Sequence, residues 1–146
     1  MFEEPAVEDV IESAWTSIPQ HFSGTQIDAF VVMPNHFHGI IALNDRLSLV
    51  GAQHAGQVDH RDELSTIVRS FKAAVTRELR IRSLWHSGQF WQSNYYDHIV
   101  RNGSDLARIR EYIALQSHRQ AVRLRESIPA PERRAPAAVA VAGRRE

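Results

Sequence analysis

The sequence predicts an α+β domain in which an antiparallel sheet is flanked by helices. Apolar residues recur at helical spacing in two segments, and two neighbouring β-branched, aromatic segments are joined by a short connection that contains Pro and Asn. The length of 146 residues and the hydrophobic content of 43% suit one soluble domain with its own core. We therefore expect a single domain over residues 1–128 and a separate tail over residues 129–146.

The first elements are expected to be a helix and then a hairpin. A helix is predicted between Pro5 and Pro19, because apolar residues fall on one face: Val7, Val10, Ile11, Ala14, Trp15 and Ile18. Strands are predicted at 27–32 and 37–43, with a turn between them at Met33-Pro34-Asn35. This arrangement puts His36 at the mouth of the hairpin and His38 just inside its second strand.

A long loop and a second helix are predicted next. Residues 44–62 lack periodicity and predict the loop. From Leu64 to about Arg82 the apolar spacing predicts a helix, on the positions Leu64, Ile67, Val68, Phe71, Val75 and Leu79. Its other face carries a basic stripe, which fits either a solvated surface or a phosphate-binding one: Arg69, Lys72, Thr76 and Arg80.

The C-terminal part is expected to hold a strand, a helix and a disordered tail. Residues 89–96 are aromatic enough for a strand or an extended edge segment. Ser104 is a suitable N-cap for a third helix from Asp105 to about Arg119. The tail over 129–146 consists mainly of Pro, Ala, Val and Arg without periodicity, which predicts disorder.

Composition narrows the functional classes. The chain has no cysteine, which excludes disulfides and thiolate chemistry and fits a reducing, cytoplasmic environment. We find neither a signal peptide nor an apolar run near the ~20 residues that span a bilayer, so no membrane partner is expected. The net charge of zero divides unevenly: residues 1–63 hold 2 Arg and 10 Asp or Glu, and residues 64–146 hold 15 Lys or Arg and 7 Asp or Glu. The basic half fits local contact with phosphates, or a solvated surface.

His36 and His38 are the residues with the clearest chemical meaning. Residues i and i+2 of a strand project from the same face, so the two imidazoles are expected side by side. A pair of this kind offers two nitrogen ligands to one metal ion. Because two histidines fill only part of a coordination shell, we expect a third protein ligand.

Tyr112 and Gln116 are candidates for the same site. They are four residues apart on the third predicted helix, so a phenol and an amide oxygen share one face. Arg108 lies one turn earlier and is placed to stabilise a phenolate or a phosphate. A helical tyrosine is more often a packing residue, and Tyr95 and Tyr96 are competing phenols in an aromatic segment that favours packing or base stacking.

Three ordered segments carry a resemblance to a known family. They are residues 33–43 with the pattern Met-Pro-Asn-His-Phe-His-Gly, residues 64–76 with Leu-Ser-Thr-Ile-Val-Arg-Ser-Phe-Lys, and residues 91–113 with Trp-Gln-Ser-Asn-Tyr-Tyr-Asp-His. Together they resemble the histidine-hydrophobe-histidine (HUH) single-tyrosine transposases, and most closely the REP-associated tyrosine transposases. The resemblance covers roughly residues 7–120.

The resemblance implies a ferredoxin-like antiparallel sheet and metal-assisted transesterification on single-stranded or hairpin DNA. Tyr112 matches the family nucleophile, which becomes joined to a 5′ phosphate and releases a 3′ hydroxyl. Gln116 matches the position that completes the metal shell begun by His36 and His38, and this donor set favours Mg²⁺ or Mn²⁺. DNA contacts are expected from the basic stripe and from other positions: Arg69, Lys72, Thr76, Arg80, Arg108, Tyr95 and His98.

His98 has several possible roles. It matches a recurrent histidine of the family, where it would orient a phosphate or support the metal shell. A hydrogen-bonded core histidine fits the sequence equally well. Trp91 and Phe90 fit either burial or the stacking of splayed bases.

The chain departs from the family in two places. Family members normally begin with a strand that lies centrally in the sheet, whereas this sequence starts almost directly on the first helix, so we expect that strand to be missing. The family's Asn-Pro after the nucleophile is replaced here by Gln116-Ser117-His118. Two alternative functions therefore stand beside the transposase: an inactive remnant that only binds DNA, and a small metal-dependent hydrolase. Both a monomer and a homodimer fit the sequence.

Overall fold

The part of the chain that the structure describes contains helices and antiparallel strands, which gives an α+β fold. The computed structural model describes residues 2, 4–43, 60–93, 95–100, 102–117 and 137–143. The helices are α1 (Pro5–Thr16), α2 (Ile18–His21), α3 (His60–Ile81) and α4 (Gly103–Ser117), and the strands are β1 (Thr25–Val32), β2 (His36–Leu43), β3 (Tyr95–Val100) and β4 (Ala137–Gly143). None of these helices combines the length and apolar character needed to cross a membrane.

The sheet has the strand order β1-β2-β4-β3, and all neighbouring strands are antiparallel. Strand β4 therefore pairs on both of its edges, with β2 and with β3. This corrects the prediction of a disordered tail for residues 137–143. Pairing on both edges gives the backbone of this Ala- and Val-rich segment hydrogen-bond partners along its whole length. The remaining tail residues, 129–136 and 144–146, lie outside the described part.

Two hydrophobic clusters cover the two faces of the sheet. The larger cluster joins α1 and α3 to β1 and β2 and includes Phe2, Phe90 and Trp91. The smaller cluster lies on the opposite face, where Ile113 of α4 and Val100 of β3 pack with Val31 and Ile40. The sheet therefore separates one face covered by α1 and α3 from another covered by α4.

The helical predictions hold for the core positions and differ at the ends. All six apolar positions predicted for the second helix are buried in α3, which begins at His60, so residues 60–62 belong to the helix and not to the loop. Residues 44–59 lie outside the described part. Pro19 does not end the first helix: α1 ends at Thr16, and Pro19 lies in the first turn of α2, where a missing N–H costs little.

Two predictions near the C-terminal half were wrong in detail. Of the strand or extended edge segment predicted at 89–96, only Tyr95 and Tyr96 lie in a strand, because β3 begins at Tyr95; Phe90 and Trp91 are buried in the larger cluster outside it. Asn102, and not Ser104, caps α4: its Oδ1 accepts a hydrogen bond of 2.8 Å from the backbone N–H of Asp105.

Gly39 of β2 lies directly under the indole of Trp15. A Cβ at this position would come within 2.2 Å of Cζ2 of Trp15. The indole is fully buried and makes ring contacts with Phe37 at 4.7 Å and Phe71 at 5.2 Å, so it has little room to move. The glycine after the second histidine thus allows α1 to pack closely on β2.

Gly39→Ala is expected to lower the free energy of unfolding by about 1–3 kcal/mol through overpacking. Urea unfolding followed by tryptophan fluorescence measures this change. Gly103→Ala is the matched control, because a Cβ there meets no atom within 4 Å. Equal stability of the two variants would contradict the packing argument.

Candidate active site

The two histidines of β2 lie side by side on the face of the sheet that α4 covers. Their ring centroids are 4.8 Å apart and the ring planes are nearly perpendicular. His38 and Ile40 are two residues apart on the same strand, and Ile40 packs against Ile113 of α4 in the smaller cluster. The two-residue period of a strand predicted this pairing, and it explains why both imidazoles point to the α4 face of the sheet.

Both imidazoles are held in the neutral form that can bind a metal. Burial lowers the pKa of His36, and burial together with the charge of His36 lowers the pKa of His38 to about 4. Nδ1 of His36 lies 2.7 Å from the side-chain oxygen of Asn35. Because an amide oxygen only accepts, the proton belongs on Nδ1, which leaves the lone pair of Nε2 for a ligand.

Helix α4 brings Tyr112 to this pair of histidines. The centroid of the Tyr112 ring lies 5.7 Å from that of His38, in an edge-on arrangement. The tyrosine is 47% exposed, so a ligand can reach its side chain from solvent. The structure therefore places a phenol from one element beside an imidazole pair from another.

Gln116 is the residue that the resemblance offers as a third metal ligand beside the two histidines. No group of three or more His, Cys, Asp or Glu that could hold a metal occurs among the described residues. Gln116 follows Tyr112 by one helical turn and is partly buried. An amide oxygen and neutral imidazoles are ligand types that suit Mn²⁺ or Mg²⁺.

His98 and Arg108 meet at one carboxylate on the same face of the sheet. Nε2 of His98 lies 2.9 Å from Oδ2 of Asp105, and Arg108 donates to Oδ1 of Asp105 at 2.5 Å. These hydrogen bonds, that of His98 first, lower the pKa of Asp105. Arg108 is thus paired with Asp105, and it remains largely exposed beside the Tyr112 flank of α4.

The basic stripe of α3 lies on the other face of the sheet. Lys72, Thr76 and Arg80 line a groove of about 540 Å³ together with Trp91. Lys72 donates to the backbone oxygen of Gln92 at 2.9 Å, and burial lowers its pKa. Arg69 is exposed on the same helix but does not line the groove. The structure therefore does not bring these residues to the histidines.

The two competing tyrosines point to opposite faces of β3. Tyr95 packs against the larger cluster, with Nζ of Lys72 5.7 Å from its ring centroid, so it belongs to the α3 face. Tyr96 is 69% exposed and shares a cross-strand row with His38, since both pair with Val141 of β4. One strand separates the two side chains, a distance of roughly 9–10 Å.

Three residues of this region were missed by sequence reasoning. Asp105 joins His98 to Arg108, and Asp28 of β1 forms an ion pair with Arg110 of α4. The only local signal for Asp28 was a carboxylate inside an otherwise apolar strand pattern. Its partner lies 82 residues away in sequence, so the pair depends on the tertiary fold.

The chain is similar in sequence to a bacterial protein. An uncharacterized protein of Haemophilus influenzae is 36% identical over 110 residues, which are 70% of this chain and 60% of that protein. The chain thus spans less than two thirds of the length of this relative. No family model and no solved structure matches the chain.

Proposed function

We propose that this protein is a metal-dependent endonuclease and strand transferase for single-stranded DNA, with Tyr112 as its nucleophile. The observation that carries the proposal is the contact between the rings of Tyr112 and His38, with centroids 5.7 Å apart. A phenol and a pair of neutral imidazoles within one site are the parts that tyrosine-mediated strand cleavage needs. The resemblance to HUH single-tyrosine transposases assigns the same roles to these residues.

The proposed reaction conserves the energy of the phosphodiester. The phenolate oxygen of Tyr112 attacks the phosphorus, a bond forms between them, and the bond from phosphorus to the 3′ oxygen breaks. The leaving 3′ oxygen takes up a proton, and the 5′ phosphate stays on the tyrosine. Attack by a 3′ hydroxyl reverses the step and rejoins strands. His36, His38 and Gln116 would hold Mg²⁺ or Mn²⁺, which would supply neutralisation of charge on the phosphate oxygens.

The order of strands in the sheet also supports the proposal. The resemblance implies a ferredoxin-like HUH domain with a central strand beside the histidine strand. In this chain β4 lies at that position, between β2 and β3.

DNA is proposed to contact both faces of the sheet. His98 and Arg108 lie on the α4 face and are suited to a phosphate near the cleaved bond. Lys72, Thr76 and Arg80 line the groove on the α3 face, and the buried Trp91 forms part of its wall. Arg69 and Tyr95 lie on that same side and extend the proposed contact with a hairpin stem or a flanking strand.

A labelling experiment tests the proposed chemistry. The protein is incubated with Mn²⁺ and a pool of hairpin oligonucleotides that have randomised loops and flanks, and the products are separated under denaturing conditions. We expect 3′-labelled DNA to become attached to the protein and 5′-labelled DNA to be released as a shorter strand. The reason is that the tyrosine keeps the 5′ phosphate of the downstream piece.

The metal site predicts which variants lose this product. His38→Ala or a chelator is expected to reduce adduct formation on the order of 10²-fold or more, because charge on the phosphate is no longer neutralised. His86→Ala is the matched control, since His86 is exposed in the chain after α3. An adduct that forms equally well in His38→Ala, or with a chelator present, would contradict the proposed metal site.

A further inference from the structure

Strand β1 contains an irregularity at Asp28. In the pairing with β2, Ile27 is opposite Ile41 and Phe30 is opposite Gly39, so three steps along β1 match two steps along β2. One extra residue in a strand is a β-bulge, and it changes which face the following side chains occupy. As a result Asp28 and Ala29 both face α4: Asp28 bonds to that helix, and Ala29 packs in the smaller cluster.

The bulge places the side chain of Asp28 against Arg110 of α4, and the two residues form a bidentate ion pair. Nε of Arg110 lies 3.0 Å from Oδ1 and 2.9 Å from Oδ2 of Asp28, and a terminal nitrogen lies 2.5 Å from Oδ2. The Asp28 side chain is only 13% exposed, and that of Arg110 is 40% exposed. Because the planar guanidinium is held at two points, the pair fixes the relative orientation of the two side chains as well as the distance between them.

Helix geometry places this ion pair on the opposite flank of α4 from Tyr112. At 100° per residue, Arg110 and Tyr112 are 200° apart around the helix axis, whereas Asp105 and Tyr112 are within about 20° of each other. The second contact, from Asp105 to His98 of β3, therefore lies on the Tyr112 flank. Ile113 is buried between the two flanks against the sheet.

We propose that the Asp28–Arg110 ion pair sets the rotation of α4 that places Tyr112 against His38. Apolar contacts at Ile113 hold the helix on the sheet but allow small rotations, since dispersion contacts have little directionality. A rotation of α4 about its axis moves Tyr112 along the sheet and away from the imidazoles. Asp28 is therefore a positioning residue for the proposed nucleophile, and this inference rests on the proposed function.

The first test measures the chemical step. With saturating hairpin DNA and Mn²⁺, Asp28→Ala and Arg110→Lys are expected to slow adduct formation by about tenfold or more. The reason is that a nucleophile displaced from its reactive position attacks more slowly. The DNA dissociation constant should change by less than about twofold. The charge-exchanged double variant, Asp28→Arg with Arg110→Asp, is expected to recover part of the rate. Glu78→Gln is the control, since it removes an exposed ion pair to Arg82 within α3 and leaves α4 untouched.

The second test does not need activity. In the metal-free protein, the ring current of Tyr112 changes the NMR chemical shifts of the His38 ring protons. The spectrum of Tyr112→Leu shows how large this change is. Asp28→Ala is expected to shift the His38 signals towards their position in Tyr112→Leu, and Glu78→Gln is expected to leave them in place. If the wild type forms no adduct, the proposed function fails while this spectrum still decides the positioning claim.

The inference is wrong if the His38 signals of Asp28→Ala coincide with those of the wild type. A loss of thermal stability alone would then show that the ion pair only stabilises the fold. A slowed adduct reaction with unmoved His38 signals would lead to the same conclusion.

Discussion

Replacing Tyr112 with phenylalanine is expected to abolish the covalent protein–DNA adduct. The substitution removes a single oxygen atom and keeps the ring that contacts His38. The fold and the metal affinity should therefore stay unchanged, while the rate of adduct formation falls on the order of 10³-fold or more, as when other covalent nucleophiles are removed. Denaturing electrophoresis with 3′-labelled DNA measures the loss, and thermal unfolding checks the fold.

The other two tyrosines of the chain provide the matched controls. Tyr95→Phe and Tyr96→Phe are expected to keep the adduct, because Tyr95 lies on the far face of the sheet and Tyr96 is one strand away from His38. Cleavage of DNA without an adduct, unchanged in Tyr112→Phe, would favour the hydrolase that uses water. DNA binding by the wild type without any cleavage would favour the inactive remnant.

Ending the chain after residue 136 is expected to remove most of the cooperative stability. This truncation deletes β4, which pairs with β2 at seven positions and with β3 at six. Its loss leaves two unpaired edges inside the sheet and separates β3 from the histidine strand. Because the total stability of a domain is only about 5–15 kcal/mol, loss of a central strand is expected to leave no sharp thermal transition.

A chain that ends after residue 143 is the matched control for this truncation. It keeps the whole of β4 and is expected to unfold as the complete protein does. Circular dichroism during heating compares the two lengths. A chain ending at 136 with the same melting temperature as one ending at 143 would show that β4 does not hold the sheet together.

The parts of the fold with strong local periodicity could be predicted from the sequence. The histidine pair on β2 follows from the two-residue period of a strand, and the core face of α3 follows from the helical spacing of its apolar residues. The approach of Tyr112 to this pair could be expected only through the resemblance. Its physical basis is the packing of Ile113 and Val100 on the α4 face of the sheet.

The parts that depend on distant contacts could not be predicted. Strand β4 carries only Ala, Val and Gly, and its strand conformation depends on pairing with β2 and β3. The bulge at Asp28 depends on the register with β2, and its ion pair depends on where α4 lies. The basic stripe of α3 is divided in the structure, since Arg69 and Arg80 are exposed whereas Lys72 and Thr76 are partly buried. Which face of the sheet the stripe occupies depends on the packing of α3 against α1 and β2.

The attachment site of DNA on the protein tests the central claim most directly. After reaction with Mn²⁺ and the hairpin pool, nuclease digestion leaves a nucleotide remnant on the modified residue, and trypsin then separates the tyrosines. Cleavage after arginines puts Tyr112 in the peptide 111–119 and puts Tyr95 and Tyr96 together in the peptide 83–101. Mass spectrometry is expected to find the added phosphonucleotide on peptide 111–119, at Tyr112. A modification on peptide 83–101, or no modified peptide at all, would contradict the assignment of Tyr112 as the nucleophile.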